Sequence, residues 1–275
     1  MTIENTITDS KPLASYNPEG STLRKAQLRL LAILIEFDRI CRKHSIDYFI
    51  SGGTCLGAVR HGGFIPWDDD IDIDVWHADY QRLEEALQAE LPDWIKLQSA
   101  KTDQGYYHFY LRLVDANSHL EYPDNFVRNK MKFTGLFIDI LPLNRAISYR
   151  LRAWLNRKLR LAYSMSRVGA KKKYKQYLAY FTLPVYRLLW WLYSKLAWFA
   201  PKEKVSHAMP SIHNPKLKYS NCFPPTTLQF EGHEFLGPAK PHEYLSELYG
   251  ANYMDIPPQS QRVHHATVIQ FLNES

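Results

Sequence analysis

Cysteine is scarce in this chain: three in 275 residues, Cys41, Cys55 and Cys222, widely spaced and without a C-x-x-C pair. That excludes a disulfide framework and a cysteine zinc site, and it suits a reducing compartment. The start, Met1 to Thr6, lacks both a basic stretch and an apolar core, so it does not read as a secretory signal and the expected location is the cytoplasm. Internal repeats and low-complexity tracts are also missing. Acids are nearly absent from one stretch. Residues 145–204 hold 15 Lys or Arg against a single acid, Glu203, a net +14 that leaves −8 for the remainder of a +6 chain. Finally, no long apolar run is unbroken: the best, Tyr177 to Ala200, is interrupted by Pro184, Arg187 and Lys195. A membrane-crossing helix tolerates such interruptions poorly, whereas a helix lying among lipid headgroups uses basic residues and tryptophans readily.

What is present is enough for a core. Hydrophobic residues make up 45 % of the chain, which excludes a wholly disordered polymer and fits one large domain or two small ones. Residues 1–21 are rich in Ser, Thr, Asn and Pro without periodicity and read as a loose tail. From Leu23, the positions Ala26, Leu30, Ile33, Leu34, Phe37, Ile40 and Cys41 follow helical spacing, with basic residues opposite. Ile46–Ser51 reads as a strand, Gly52-Gly53 as a turn, and Thr54–Arg60 as a helix with Thr54 near its cap. Ile71 to Val75 alternates as a strand, and Tyr80, Leu83, Leu87 and Leu91 mark a helix that Pro92 ends. Further strands are expected around Trp94–Leu97, Tyr107–Val114 and Gly135–Leu141, the last stopped by Pro142. The fold class is therefore α/β or α+β, a sheet layer with helices. Residues 146–205 form a basic, aromatic helical insertion, expected as two or three helices broken near Gly169 and Pro184.

The chemistry concentrates in Asp70-Ile71-Asp72-Ile73-Asp74. Alternate side chains of a strand share a face, so Asp70 and Asp72 point together while the isoleucines point into the core. Crowded, half-buried carboxylates repel one another unless a cation intervenes, and oxygen-only ligands suit Mg²⁺ or Mn²⁺. A solvated acidic turn is the bland alternative, and the apolar interleaving argues against it. An EF-hand is excluded, because the sixth and twelfth positions counted from Asp70 are Val75 and Gln81 rather than Gly and Glu. Upstream, Ser51-Gly52-Gly53-Thr54 lies between strand and helix, where backbone N–H groups and the helix dipole can hold phosphate. An anion cradle followed by a metal strand is the pairing that phosphoryl transfer needs.

Gly52-Gly53-Thr54, Leu56–His61, Gly63–Trp67 and Asp68–Ile73 resemble the signature of the LicD family, which includes bacterial phosphocholine transferases and is related to fukutin-type ribitol-phosphate transferases. Gly135–Leu143 resembles that family's next strand, and Tyr244-Leu245, Leu248–Met254 and Pro257-Pro258 its C-terminal motif. The resemblance spans residues 23–143 and 223–265; the basic insertion carries no matching motif. It implies a nucleotidyltransferase-like mixed sheet flanked by helices, with residues 22–145 as catalytic core and 206–275 completing that domain. It also implies that Asp70 and Asp72 carry the metal and that Asp139 is a third carboxylate, as metal ligand, general base, or both.

Other candidates stay open between site and surface. Arg60 either clamps a phosphate or is a surface cation; Arg112, alternating with Leu111 and Leu113, either reaches the donor diphosphate or faces solvent. Asp68 and Asp69 shape the turn or add charge, and His264 and His265 either close the site or are structural. The activity expected from the resemblance is metal-dependent transfer of a substituted phosphate, foremost phosphocholine from CDP-choline or another CDP-alcohol, onto a hydroxyl of a cell-surface glycan or its lipid-linked precursor. Alternatives are a nucleotidyltransferase, a D-x-D glycosyltransferase, or a non-catalytic adaptor that binds membrane or nucleic acid. No nucleic-acid motif accompanies the basic charge, so a nucleic-acid partner is not expected, while peripheral contact with the anionic inner face of the cytoplasmic membrane is.

Overall fold

The computed structural model describes residues 12–121, 131–168, 172–201, 203–211, 214–262 and 268–272. Seven helices and eleven strands follow in order: α1 (Thr22–Lys43), β1 (Tyr48–Ile50), α2 (Gly52–His61), β2 (Ile71–Trp76), α3 (Tyr80–Glu90), β3 (Ile95–Gln98), β4 (Leu111–Asp115), β5 (Ser118–Glu121), β6 (Phe137–Arg145), α4 (Tyr149–Val168), α5 (Lys173–Ala197), β7 (Lys204–His207), β8 (Leu217–Lys218), α6 (Tyr219–Cys222), β9 (Thr226–Phe230), β10 (His233–Gly237), α7 (Pro241–Tyr249) and β11 (Val268–Phe271). The main sheet runs β1-β2-β6-β4-β3, with β7 added to β6 and β8 to β7. Among the described residues only β2 and β6 pair in parallel; β1 with β2, β4 with β6 and β3 with β4 are antiparallel. The expected mixed sheet flanked by helices is the observed α+β architecture.

One face of the sheet is greasy because the sequence alternates. Ile71, Ile73, Val75, Ile138, Ile140, Leu111 and Leu113 are buried in one cluster with the apolar stripe of α1 and with Leu83 and Leu87 of α3. Helix α1 starts where the Ser21 hydroxyl accepts the Arg24 N–H at 3.2 Å, and its Arg42 and Lys43 sit favourably at the negative end of the dipole. Phe37 is fully buried there, and truncating such a ring to alanine costs about 3–5 kcal/mol. The opposite face carries Asp72, Asp74 and Asp139, and around Phe49, Cys55, Tyr244 and Leu245 it is roofed by α2 and α7.

Two prolines behave differently from the sequence reading. Pro142 lies inside β6, at the step where β4 has ended at Ile140 and β7 begins at Leu143, so its missing N–H removes no ladder bond on that edge. Pro184 lies inside α5, which continues through it as one helix. Packing of Ala179 and Leu183 before it, and of Tyr186 and Trp190 beyond it, against the cluster of Leu159, Ala162 and Tyr163 of α4 holds the segment helical on both sides of the lost bond. The insertion is thus a two-helix hairpin, α4 and α5, and Lys204 and Val205 at its expected end belong to β7 of the main sheet. Strand β4 is shorter than expected, beginning at Leu111, and α2 begins at Gly52 rather than near Thr54. Met1–Lys11 of the tail, Gly169, His264 and His265 lie outside the described residues.

Candidate active site

The parallel register of β2 and β6 makes Asp72 and Asp139 Cα partners, and the antiparallel register of β6 and β4 makes Asp139 and Arg112 partners in turn. Three strands therefore set an acid, an acid and a base in one row across the sheet. Arg112 donates from Nε to Asp139 Oδ1 at 2.6 Å and from Nη2 to Oδ2 at 3.0 Å. Its guanidinium lies 3.5 Å from the centroid of the Phe137 ring, and the side chain is buried. The surface alternative for Arg112 is therefore wrong: its side chain projects from the sheet into a covered space, held between the Asp139 carboxylate and the Phe137 ring. Its fork is directed at Asp139.

Beside this row is the glycine turn. Gly52 has φ +52°, a conformation that side-chain-bearing residues resist, and a Cβ there would lie 3.3 Å from Asp72 Oδ2. A Cβ on Gly53 would lie 3.1 Å from Asp68 Oδ2. The positive end of α2 therefore approaches two carboxylates through bare backbone. Thr54 couples helix to strand, its Oγ1 accepting the Asp72 N–H at 2.9 Å, and the Ser51 N–H donates to the Asp72 carbonyl at 2.9 Å. The Gly52 N–H, expected to be open to phosphate, donates instead to the Tyr244 hydroxyl at 3.1 Å.

Burial and then the charges of Asp70, Asp139, Asp74 and Asp68 push the Asp72 carboxyl well above the usual carboxylate range. Desolvation, followed by Asp72, Asp68 and Asp70, likewise raises the Tyr249 hydroxyl, which stays a neutral donor beside the acids. A cleft of about 250 Å³ opens here, lined among others by Ser51, Gly52, Asp72, Asp74, His207 and Tyr249. His207 Nε2 lies 3.3 Å from Asp74 Oδ1, and its Nδ1 pairs with Ser211 Oγ at 2.9 Å.

An excess of carboxylate oxygen around Asp72 is what a hard divalent cation relieves, so the donor chemistry fits Mg²⁺ or Mn²⁺. Among the described residues, however, no three His, Cys, Asp or Glu side chains are gathered into a ready ligand shell.

Arg60 is not brought to the glycine turn. It sits in the last turn of α2, eight residues and about 12 Å of helix from Gly52. There Nη1 donates to the carbonyls of Tyr253 at 3.2 Å and Asp255 at 3.0 Å, so Arg60 ties down the chain after α7. Asp69 is buried in the turn before β2, and Gln27 of α1 fastens that turn by donating to the Asp68 carbonyl at 2.9 Å. Sequence reasoning missed Tyr244, Tyr249, Asp74 and His207 as site residues. The period-two alternation from Asp70 could have flagged Asp74; nothing local points to His207, which arrives on β7 after the helical insertion.

Paired carboxylates on adjacent strands, facing the N-terminus of a short helix across a cleft, define an α+β transferase domain. More particularly, residues 45–166 match the family model described as LicD/FKTN/FKRP, nucleotidyltransferase domain. It is 29 % identical over 266 residues to the lipopolysaccharide cholinephosphotransferase LicD of Haemophilus influenzae, covering 89 % of this chain and 96 % of that protein. A shorter likeness, 42 % over 45 residues, joins it to the ribitol 5-phosphate transferase FKRP of Mus musculus, covering 16 % of this chain and 9 % of that one. An uncharacterized protein of Rickettsia prowazekii is 43 % identical over 63 residues, 23 % of this chain and 24 % of its own.

Proposed function

We propose that this protein transfers a phosphoalcohol from a nucleotide-activated donor to a hydroxyl of a glycan, with phosphocholine from CDP-choline as the favoured group and a lipid-linked glycan as a candidate acceptor. The observation that carries the reading is the register pairing of Asp72 with Asp139, together with the close approach of the bare backbone of Gly52 to Asp72 on the wall of a cleft. The full-length likeness to a cholinephosphotransferase supports the choice of donor alcohol.

Asp70 and Asp72 would hold a divalent cation, with Asp139 as the adjoining third carboxylate. When bound, such an ion supplies positive charge against the donor diphosphate oxygens. Arg112 holds Asp139 in place by donating to both of its oxygens. Asp139 is then a carboxylate fit to take the proton of the acceptor hydroxyl as its oxygen attacks phosphorus, forming one P–O bond while the bond to the leaving CMP breaks. Tyr249 lines the same cleft, and the α2 N-terminus adds dipole charge.

The test is incubation with Mg²⁺, a panel of CDP-alcohols and an acceptor glycan, followed by identification of both products. CMP release with the phosphoalcohol on the glycan, abolished in Asp72→Asn, supports the reading. Transfer of the nucleotide half or of a bare sugar would replace it, and full turnover by Asp72→Asn would remove that residue from the mechanism.

A further inference from the structure

Helix α5 has two apolar faces, and only one is used. Ala179, Leu183, Tyr193 and Ala197 are buried, the first two against α4. On the opposite side Leu178, Phe181, Val185, Leu188, Leu192 and Leu196 recur every three or four residues, all exposed, Phe181 to 79 %. The stripe continues past the helix end into Phe199, 85 % exposed. From Leu178 to Leu196 it runs about 27 Å. A soluble surface rarely leaves so long an apolar strip in water.

Charge identifies the occupant. Neither α4 nor α5 contains an acid, and the segment from 145 to 204 is net +14. Arg187 and Lys195 flank the stripe without entering it, and exposed Lys172, Lys173 and Lys175 stand at its N-terminal end, while Trp191 and Trp198 are exposed along the side. A second copy of the chain placed on this strip would set one basic rim against another. No helix among the described residues is long and apolar enough to cross a membrane. An uncharged strip between cations and tryptophans is the pattern of a helix lying in the headgroup plane of an anionic bilayer.

We infer that the exposed face of α5 docks this protein on an anionic lipid bilayer. The hairpin is also tied to the cleft: Arg152 of α4 donates to Asn214 Oδ1 at 2.6 Å and Asn156 to the Ser211 carbonyl at 2.8 Å, and Asn214 lines the cleft wall. Docking is therefore mechanically joined to the site, yet the inference stands whatever group the enzyme transfers.

The experiment is co-sedimentation of the whole protein with sucrose-loaded vesicles of phosphatidylcholine alone or mixed with phosphatidylglycerol, at low and high salt. Anionic vesicles should be favoured about tenfold or more, with the preference shrinking at high salt. Phe181→Ser with Leu188→Ser should lose most of this binding and keep the wild-type circular dichroism and melting temperature, since those side chains touch water. Replacing Lys172, Lys173 and Lys175 by glutamine should lower anionic binding without touching the apolar stripe. Absence of vesicle binding, equal binding to both vesicles, undiminished binding by both variants, a stable dimer in light scattering that the serine variant abolishes, or a preference for nucleic acid over vesicles would overturn the proposal.

Discussion

Asp139 is shared between two neighbours: Asp72 is its Cα partner on one side, and Arg112 grips both of its oxygens from the other. The guanidinium is the buried positive charge that allows two carboxylates to face each other across adjacent strands. Its burial makes the pair sensitive to one-sided change.

Arg112→Met should destabilise the fold by about 3–5 kcal/mol, the usual consequence of stranding one member of a buried ion pair. Urea denaturation measures it. A loss below about 1 kcal/mol would show that Asp139 finds other support.

Asp72 predicts an opposite sign. Because its folded-state carboxyl is raised, ionising it favours unfolding, so the group's stabilising effect is complete below the ordinary carboxylate range of about 4 and is lost as pH rises through the elevated value. In EDTA at neutral pH, Asp72→Asn should melt above wild type, and the gap should close in acid. Added Mg²⁺ should raise the wild-type melting temperature and leave the variant where it was. A variant that melts lower at neutral pH would contradict the crowding argument.

Gly52→Ala places a methyl group where Asp72 Oδ2 sits 3.3 Å away and forces alanine into φ +52°. Left-handed backbone costs about 1–2 kcal/mol for such a residue. Turnover should fall much further than stability, since the displaced carboxylate belongs to the site. Thermal melts alongside initial rates decide it, and normal rates would count against the close approach.

Below neutrality, His61 should control part of the acid sensitivity. Burial, with help from Arg60, lowers its imidazole to about 4 from an ordinary 6.5. Its Nε2 accepts from Arg60 Nε at 3.0 Å, a bond that protonation removes. A depressed folded-state value means stability that is present above about 6.5 and lost as pH falls toward about 4. His61→Gln should flatten the stability profile across that window in pH-dependent urea titrations. An unchanged slope would assign the loss to the carboxylates.

Local periodicity carried much of the fold into view. The α1 stripe, the alternation of Ile71 to Val75 and the helix beginning at Tyr80 are each written within a few residues, because a helix repeats at 3.6 and a strand at 2. Pro142 and Pro184 misled for the same reason: a proline rule is local, while the strand change beside Pro142 and the α4 packing beside Pro184 are not. In the site, Asp70, Asp72 and the Gly52-Gly53 turn were legible as a motif. The placement of Arg60 on the carbonyls of residues 253 and 255 was not, since its partners lie 193 and 195 positions away in sequence.

By itself, then, the sequence determined which residues alternate, where acid is concentrated, where a turn demands glycine, and that one segment is cationic and aromatic. Only the tertiary structure decided that Asp139 stands between Asp72 and Arg112, that Tyr244 and His207 arrive at the cleft from distant strands and helices, and which apolar face of α5 is left in water. Side-chain spacing is a property of neighbours along the chain; pairing register and burial are set by segments that meet only after it folds.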